Sequence, residues 1–266
     1  MVLNQNVAPK VDANNHNSPI KMLLSLFIIC LLLYHIYDKV KSIMIEQNEI
    51  LDDVRGNLAL MCDGGCSGAD LAAVAGVAIT NKLRAVSVLP TAVSQIWPWI
   101  ENTNIKIITR FYVNGKIDDN FMSDFSSQVI ASFRDGADGA MVFLHMRDVD
   151  RFVSELSYVR DDLFFNKILA IGIDICEIDA SDWDGLFKLL RSVRADALTL
   201  FLSRDDGDKS DFVGRVYAML TANMADWRGC LYFVPGNNIM RIDQFHRLTQ
   251  QLRPNMAPTM MFFVNN

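Results

Sequence analysis

"ILAIGIDICEIDASDWDGLFKLLRSVRADALTLFLS", residues 168–203, carries the pattern that decides the fold. Two apolar runs, Ile168–Cys176 and Ala197–Ser203, each place a bulky aliphatic side chain at every second position, the period of a strand. Between them "SDWDGLFKLLRSV" opens on Ser181-Asp182 and repeats apolar residues at helical spacing, as a capped amphipathic helix does. Strand, helix and strand in succession make a parallel βαβ unit, because the intervening helix returns the chain to the same edge of the sheet.

The same unit recurs outward in both directions. Further apolar runs fall at Leu58–Cys62, Arg84–Leu89, Ile105–Val113, Ala140–Met146, Cys230–Val234 and Thr259–Val264, with helical stretches between them. "SGADLAAVAGVAITNKL" starts with Ser67 and has Asp70 three residues on, a capping-box start. "DDNFMSDFSSQVIASFRDGA" runs to Gly136, a residue suited to a helix stop. Strands alternating with helices over residues 58–266 predict an α/β fold closed as a (β/α)8 TIM barrel near the small end of its size range. An open doubly wound sheet is the alternative, and no G-x-G-x-x-G follows any strand to mark a dinucleotide site. The sequence stops just after the eighth strand, so the barrel lacks its final helix. That leaves an apolar outer strand face to be covered.

Ahead of the barrel the composition changes. Residues 1–19 are Asn-rich and polar, with two prolines, and read as a disordered tail. "IKMLLSLFIICLLLYHIY", Ile20–Tyr37, is apolar apart from Lys21 and His35 near its ends and weakly acidic Cys and Tyr. As a helix it spans roughly 27 Å, enough to cross the hydrocarbon core. A cleaved signal peptide would end in small residues, and "HIYDKV" does not; a buried core helix is the other reading. A transmembrane helix over 20–38 would make the lipid bilayer a partner and the chain a single-pass membrane protein. Lys10 and Lys21 on one side balance Lys39 and Lys41 on the other, so the positive-inside rule barely chooses an orientation. Residues 39–57 form a linker in which Val40, Ile43, Gln47, Ile50 and Val54 recur at spacings of three and four. This amphipathic helix is expected to pack on the barrel, in the slot of the missing eighth helix. The alternative is a short coiled-coil stalk pairing two chains, so a second copy or a membrane complex are the protein partners it admits.

The whole-chain charge is -6 and hydrophobic residues make up 51% of the sequence. Such a chain can build a large core but lacks the cationic surface of a nucleic-acid binder. Five irregularly spaced cysteines do not make a disulfide scaffold. The four outside the apolar span are expected to be free thiols, which favours the cytoplasmic side for the barrel.

Several pieces, in order, resemble the deoxyribose-phosphate aldolase family of class I aldolases. "LRAVSVLPTAV" is similar to its second strand and following helix, and "IKIITRFYVNGK" to its third strand. "FRDGADGAMVF" is similar to the entry into its fourth strand, "VRADALTLFL" to its sixth, and "FVPGNNIMRIDQF" to its seventh strand and loop. The resemblance implies a barrel, and a chemistry resting on a Schiff-base lysine in strand six, a second lysine in strand seven and an aspartate in strand four. By motif those places fall on Thr199, about Phe233 and Met141. A Schiff base needs an amine and a proton relay needs a titratable group, so the resemblance implies a degenerate member. The family's phosphate-holding Gly-Gly reads Gly236-Asn237 here. Lys106 and Lys167 start their strands, at the end away from the active face. Lys116 and Lys209, in loops of that face, are the only candidates for a relocated amine.

Strand parity supplies other candidates. If Leu169, Ile171, Ile173 and Ile175 face the helices, then Ala170, Gly172, Asp174 and Cys176 face the lumen. The same rule turns Thr199, Phe201 and Ser203, His145 and Arg147, Ser87, and less firmly Asp63 and Arg110, inward. A polar ring of Asp63, Arg110, His145, Asp174 and Ser203 results, toward the C-terminal face where barrel sites form. One reading is a pocket for a small polar or anionic ligand, with Arg110 as anion anchor and His145, Asp174 or Lys209 as catalytic candidates. The other is a buried, mutually satisfied network in which Arg110 pairs with Asp63 or Asp174. Neither a metal site nor a cofactor is called for: one His among scattered carboxylates is a weak ligand set, and Cys62 and Cys66 in "MCDGGCSG" lack a second ligand pair. "RDDGDKSD", residues 204–211, lacks the glycine and glutamate of a calcium loop and reads as a solvated loop. The expected function is a membrane-anchored, catalytically degenerate barrel that binds or assembles. A lyase or hydrolase with a rebuilt site at the C-terminal face is the alternative.

Overall fold

The computed structural model describes residues 54–62, 64, 66–202, 209–224, 227–236, 238 and 240–265. The tail, the apolar span 20–38 and the linker up to residue 53 lie outside the described residues, and so do the expected anchor and all but the end of the slot-filling helix. Val54, at that end, is buried in the core. Among the described residues no helix is long and apolar enough to cross a membrane.

Eight parallel strands close into a barrel in sequence order: β1 Leu58–Met61, β2 Ala85–Val88, β3 Lys106–Tyr112, β4 Gly139–Phe143, β5 Ile168–Asp174, β6 Ala197–Phe201, β7 Cys230–Val234 and β8 Met261–Asn265. Closure is direct, since β8 pairs with β1 from Leu58–Phe262 to Met61–Asn265. The open sheet is thereby excluded. The connecting helices are α1 Gly68–Thr80, α2 Val93–Ile100, α3 Asp119–Arg134, α4 Val149–Leu163, α5 Trp183–Ser192, α6 Lys209–Thr221 and α7 Met240–Leu252. The start of α1 follows the expected capping chemistry, whereas Asp182, at the N-cap of α5, makes no side-chain cap bond. Ser67 Oγ accepts from the Asp70 N–H while Asp70 accepts from the Ser67 N–H, and these bonds from Ser67 hold the Asp70 carboxyl below the usual range. Asp118 caps α3. After α3 the chain turns at Gly136, whose φ is +112°.

Because both strand faces are covered, the apolar residues divide into two cores. The outer one lies between strands and helices and holds Val86, Val142, Leu169, Ile171, Leu198, Leu200 and Phe233. The inner one fills the lumen. The strand registers stack its side chains in layers of four from alternate strands, as in other barrels of this kind. Ala59, Ile108, Ala170 and Tyr232 form one layer; Ser87, Met141, Thr199 and Phe263 lie above it; Met61, Arg110, Gly172 and Val234 come next. All twelve are buried.

Three expectations need correction at this level. β4 and β5 were expected to reach Met146 and Cys176, but they stop at Phe143 and Asp174 and pass into 3-10 turns at Met146–Asp148 and Ile175–Glu177. Beyond a strand's last ladder bond the two-residue alternation no longer holds. Arg147 is accordingly exposed beside Asp148, 3.6 Å away, and Cys176 is exposed, rather than both lying in the lumen. Phe233 faces outward, stacked on Phe245 at 4.8 Å, and Tyr232 and Val234 are the β7 residues buried in the lumen. Finally, Cys62 and Cys66 are joined by a disulfide, because the short loop after β1 brings their side chains together. Cys176 and Cys230 are the cysteines outside a disulfide among the described residues.

Candidate functional site

The middle layer of the lumen is built from Ser87, Met141, Thr199 and Phe263, each fully buried. Thr199 and Ser87 hydroxyls have no protein hydrogen-bond partner. Tyr232 sits below Phe263, their ring centroids 5.6 Å apart, and burial pushes its phenol far above the ordinary range. Burial likewise raises the Cys230 thiol. None of these groups can form an imine. Lys106 shares the inward parity of β3 but lies at its N-terminal end, where Nζ pairs with Asp138 at 3.0 Å. Lys167 donates there to the Ala137 carbonyl at 2.7 Å and sits over the Phe133 ring. Lys116 is exposed in the loop after β3, 3.7 Å from Asp118. The side chain of Lys209 lies outside the described residues, as do Asp63, Ser203 and Asn237.

Arg110 stands one layer higher, 2% exposed, and its Nη2 donates to the Cys62 carbonyl. That bond ties the middle of β3 to the end of β1. Above it the lumen is closed by rings. Phe143 and Phe201 meet edge to face at 5.1 Å, and Tyr112 stacks on Phe143 at 5.1 Å and 14°. The lumen is thereby plugged by Met141, Phe143 and Phe201. Gly172 is what admits the Phe143 ring, since a Cβ there would lie 2.5 Å from Phe143 Cδ1.

Over this plug, between the C-terminal ends of β3, β4 and β5, lies a cleft of about 200 Å³ lined by Tyr112, Val113, Asn114, Phe143, Leu144, His145, Asp174, Glu177 and Phe201. His145 caps the turn after β4, and its Nδ1 lies 2.6 Å from Glu177 Oε1. The other oxygen of Glu177 accepts from the Met146 N–H at 2.9 Å. The carboxylate is thus held from both sides, and with the proton on Nδ1 it fixes the imidazole so that Nε2 is the free acid–base nitrogen. Asp174 is 4% exposed and its Oδ1 accepts from the Cys176 N–H at 2.9 Å. Of the anticipated ring, His145 and Asp174 share this cleft, whereas Arg110 is not among its lining residues. Gly236 turns with φ +64° after β7 and is not a lining residue either. Glu177, Tyr112 and Asn114 were not anticipated. Their common signal is position alone, since each lies at or just beyond the C-terminal end of a strand. Among the described residues no cluster of His, Cys, Asp and Glu is placed to hold a metal.

Fold and lumen together define a parallel (β/α)8 barrel of the aldolase type. Solved structures place it more narrowly, at the deoxyribose-phosphate aldolase fold. A Toxoplasma gondii protein described as a deoxyribose-phosphate aldolase superposes with a TM-score of 0.62 at 14% identity, over 84% of this chain and 92% of that one. The tetrameric deoxyribose phosphate aldolase of Aeropyrum pernix gives 0.59 at 12% identity, over 83% and 92%. The carboxyl transferase domain of Rhizobium etli pyruvate carboxylase gives 0.53 at 14%, over 82% of this chain and 42% of that one. The sequence matches no family model and no curated protein.

Proposed function

We propose that this chain is a catalytically degenerate aldolase-type barrel, tethered to a membrane by residues 20–38, that works by binding a partner or ligand rather than by Schiff-base chemistry. The observation that carries this reading is Thr199: it occupies the strand-six place in a lumen layer completed by Ser87, Met141 and Phe263, with no ammonium group on any inward strand position above Lys106. The test is to incubate the full-length protein with acetaldehyde, reduce with sodium borohydride, and map adducts by mass spectrometry. Labelling is expected to be substoichiometric and scattered over surface lysines. Stoichiometric, single-site labelling, at Lys116, Lys209 or elsewhere, would overturn the proposal.

A second reading is favoured by one specific geometry. The 2.6 Å contact between His145 and Glu177 in a cleft is the arrangement of an oriented general base, so a rebuilt acid–base site on a small polar metabolite is the enzyme alternative.

A further inference from the structure

We infer that the cleft over the barrel mouth selects a small organic cation, an amine, over an anion of the same size. The fold's relatives include aldolases whose names specify a phosphorylated substrate, and the polar ring read from sequence pointed to an anion held by Arg110. The cleft is built otherwise. Among the described residues its lining has two acidic side chains, Asp174 and Glu177, and neither lysine nor arginine. Arg110 lies two residues deeper on β3 than Tyr112 and donates to the Cys62 carbonyl. Two cations of the described loops are engaged elsewhere: Arg147 faces Asp148 and Lys116 faces Asp118.

The walls point the same way. Phe143 packs against both Tyr112 and Phe201, and ring faces attract an ammonium and repel a carboxylate. Asp174 is almost entirely removed from water, so its field is screened less than that of a surface acid. His145 lies 2.6 Å from Glu177 Oε1, so a carboxylate faces the imidazole within the cleft. At about 200 Å³ the cleft is smaller than the roughly 300 to 1,000 Å³ of pockets for drug-sized ligands, so the ligand has few heavy atoms. A primary amine on a small ring or chain fits all three features: ammonium toward Asp174 and Glu177, apolar body against the rings.

The inference deepens the binding reading and rests on this cleft being its site; it needs neither the tether nor the loss of aldolase chemistry. The test uses the full-length protein and three probes of nearly equal size: benzylamine, benzyl alcohol and benzoate. Binding is measured by calorimetry and ligand-observed NMR on the wild type, Asp174→Asn and Glu177→Gln. Benzylamine is expected to bind about tenfold or more tighter than benzoate, with benzyl alcohol between. Each substitution should cut the amine affinity and shrink the preference. Should Asp174→Asn fail to fold, Glu177→Gln decides alone, since that side chain is one-third exposed. Benzoate binding as tightly as benzylamine, an amine preference that survives the substitutions, or no binding by any of the three would overturn the inference. A Schiff base trapped by borohydride would overturn the degenerate-barrel proposal and leave this result standing.

Discussion

Replacing Thr199 by valine should make the protein more stable. The Thr199 side chain is 0% exposed, and its Oγ1 has no protein hydrogen-bond partner. A buried hydroxyl without a partner costs about 1–3 kcal/mol relative to one left in water. Valine keeps the branched shape, so neighbouring Met141 and Phe263 need not move and no cavity opens. The expected gain is about 1–2 kcal/mol, toward the low end of that range because a hydroxyl can rotate toward weak acceptors. In a barrel of this size that corresponds to a rise of about 2–8 °C in Tm. Urea unfolding followed by tryptophan fluorescence at 25 °C, with an unchanged slope against denaturant, measures it directly. Ser87→Ala, in the same layer, should shift in the same direction by less. A loss of 1 kcal/mol or more in Thr199→Val would refute the reasoning. It would mean that the hydroxyl holds a hydrogen bond in the folded protein, to a lumen water or a bound molecule, and that the layer is a polar site rather than packing.

Alkaline pH should destabilise the fold through Tyr232 and Cys230. Burial raises both above their ordinary values, so as pH climbs past about 9 the unfolded chain loses these protons while the folded one keeps them, and stability falls. Tyr232→Phe should flatten the decline of stability between about pH 9 and 11; equal slopes would remove Tyr232 from the account. Gly136→Ala should cost about 2–4 kcal/mol, because φ is +112° and an added Cβ would lie 2.5 Å from Trp97 Cγ. Should the half-exposed Trp97 ring swing aside, the loss falls to the lower end and its fluorescence shifts; an unchanged urea midpoint would contradict the argument.

The barrel was readable in sequence because its outer face is regular. Leu169, Ile171 and Ile173 alternate with Ala170, Gly172 and Asp174, and α1 begins with the recognisable capping box Ser67–Asp70. Where both faces of a strand are apolar that signal vanishes. "CLYFV" in β7 gives no parity, and Phe233 was placed in the lumen on motif alignment when Tyr232 fills it. The parity rule also failed past the strand ends. Arg147 and Cys176 have the right spacing to face inward, but the ladder stops at Phe143 and Asp174, and the 3-10 turns that follow carry them to the surface. The Cys62–Cys66 bond was missed for a related reason, since a four-residue spacing in a loop says nothing until the turn is known.

The cleft was half legible, and the missing half decides its chemistry. His145 and Asp174 could be found because each follows an apolar run. Glu177 lies 32 residues from His145, and only the adjacency of β4 and β5 joins them, a fact of topology rather than of spacing. That pairing changes what the histidine is. A lone His145 above Arg110 suggests an anion site; a His145 clamped by a carboxylate, beside buried Asp174 and above rings that seal Arg110 below them, suggests the reverse. The Thr199 layer and the cleft are separated by Phe143 and Phe201. A barrel can lose the reactive layer to packing and still keep a usable surface at its C-terminal rim, because loops and strand ends there are free of the constraints that fix the lumen. The two layers make opposite demands on a substitution. Thr199→Val should stabilise without touching amine binding, whereas Glu177→Gln should weaken amine binding with little effect on stability. A single variant that moved both together would show that the rings do not separate lumen from cleft.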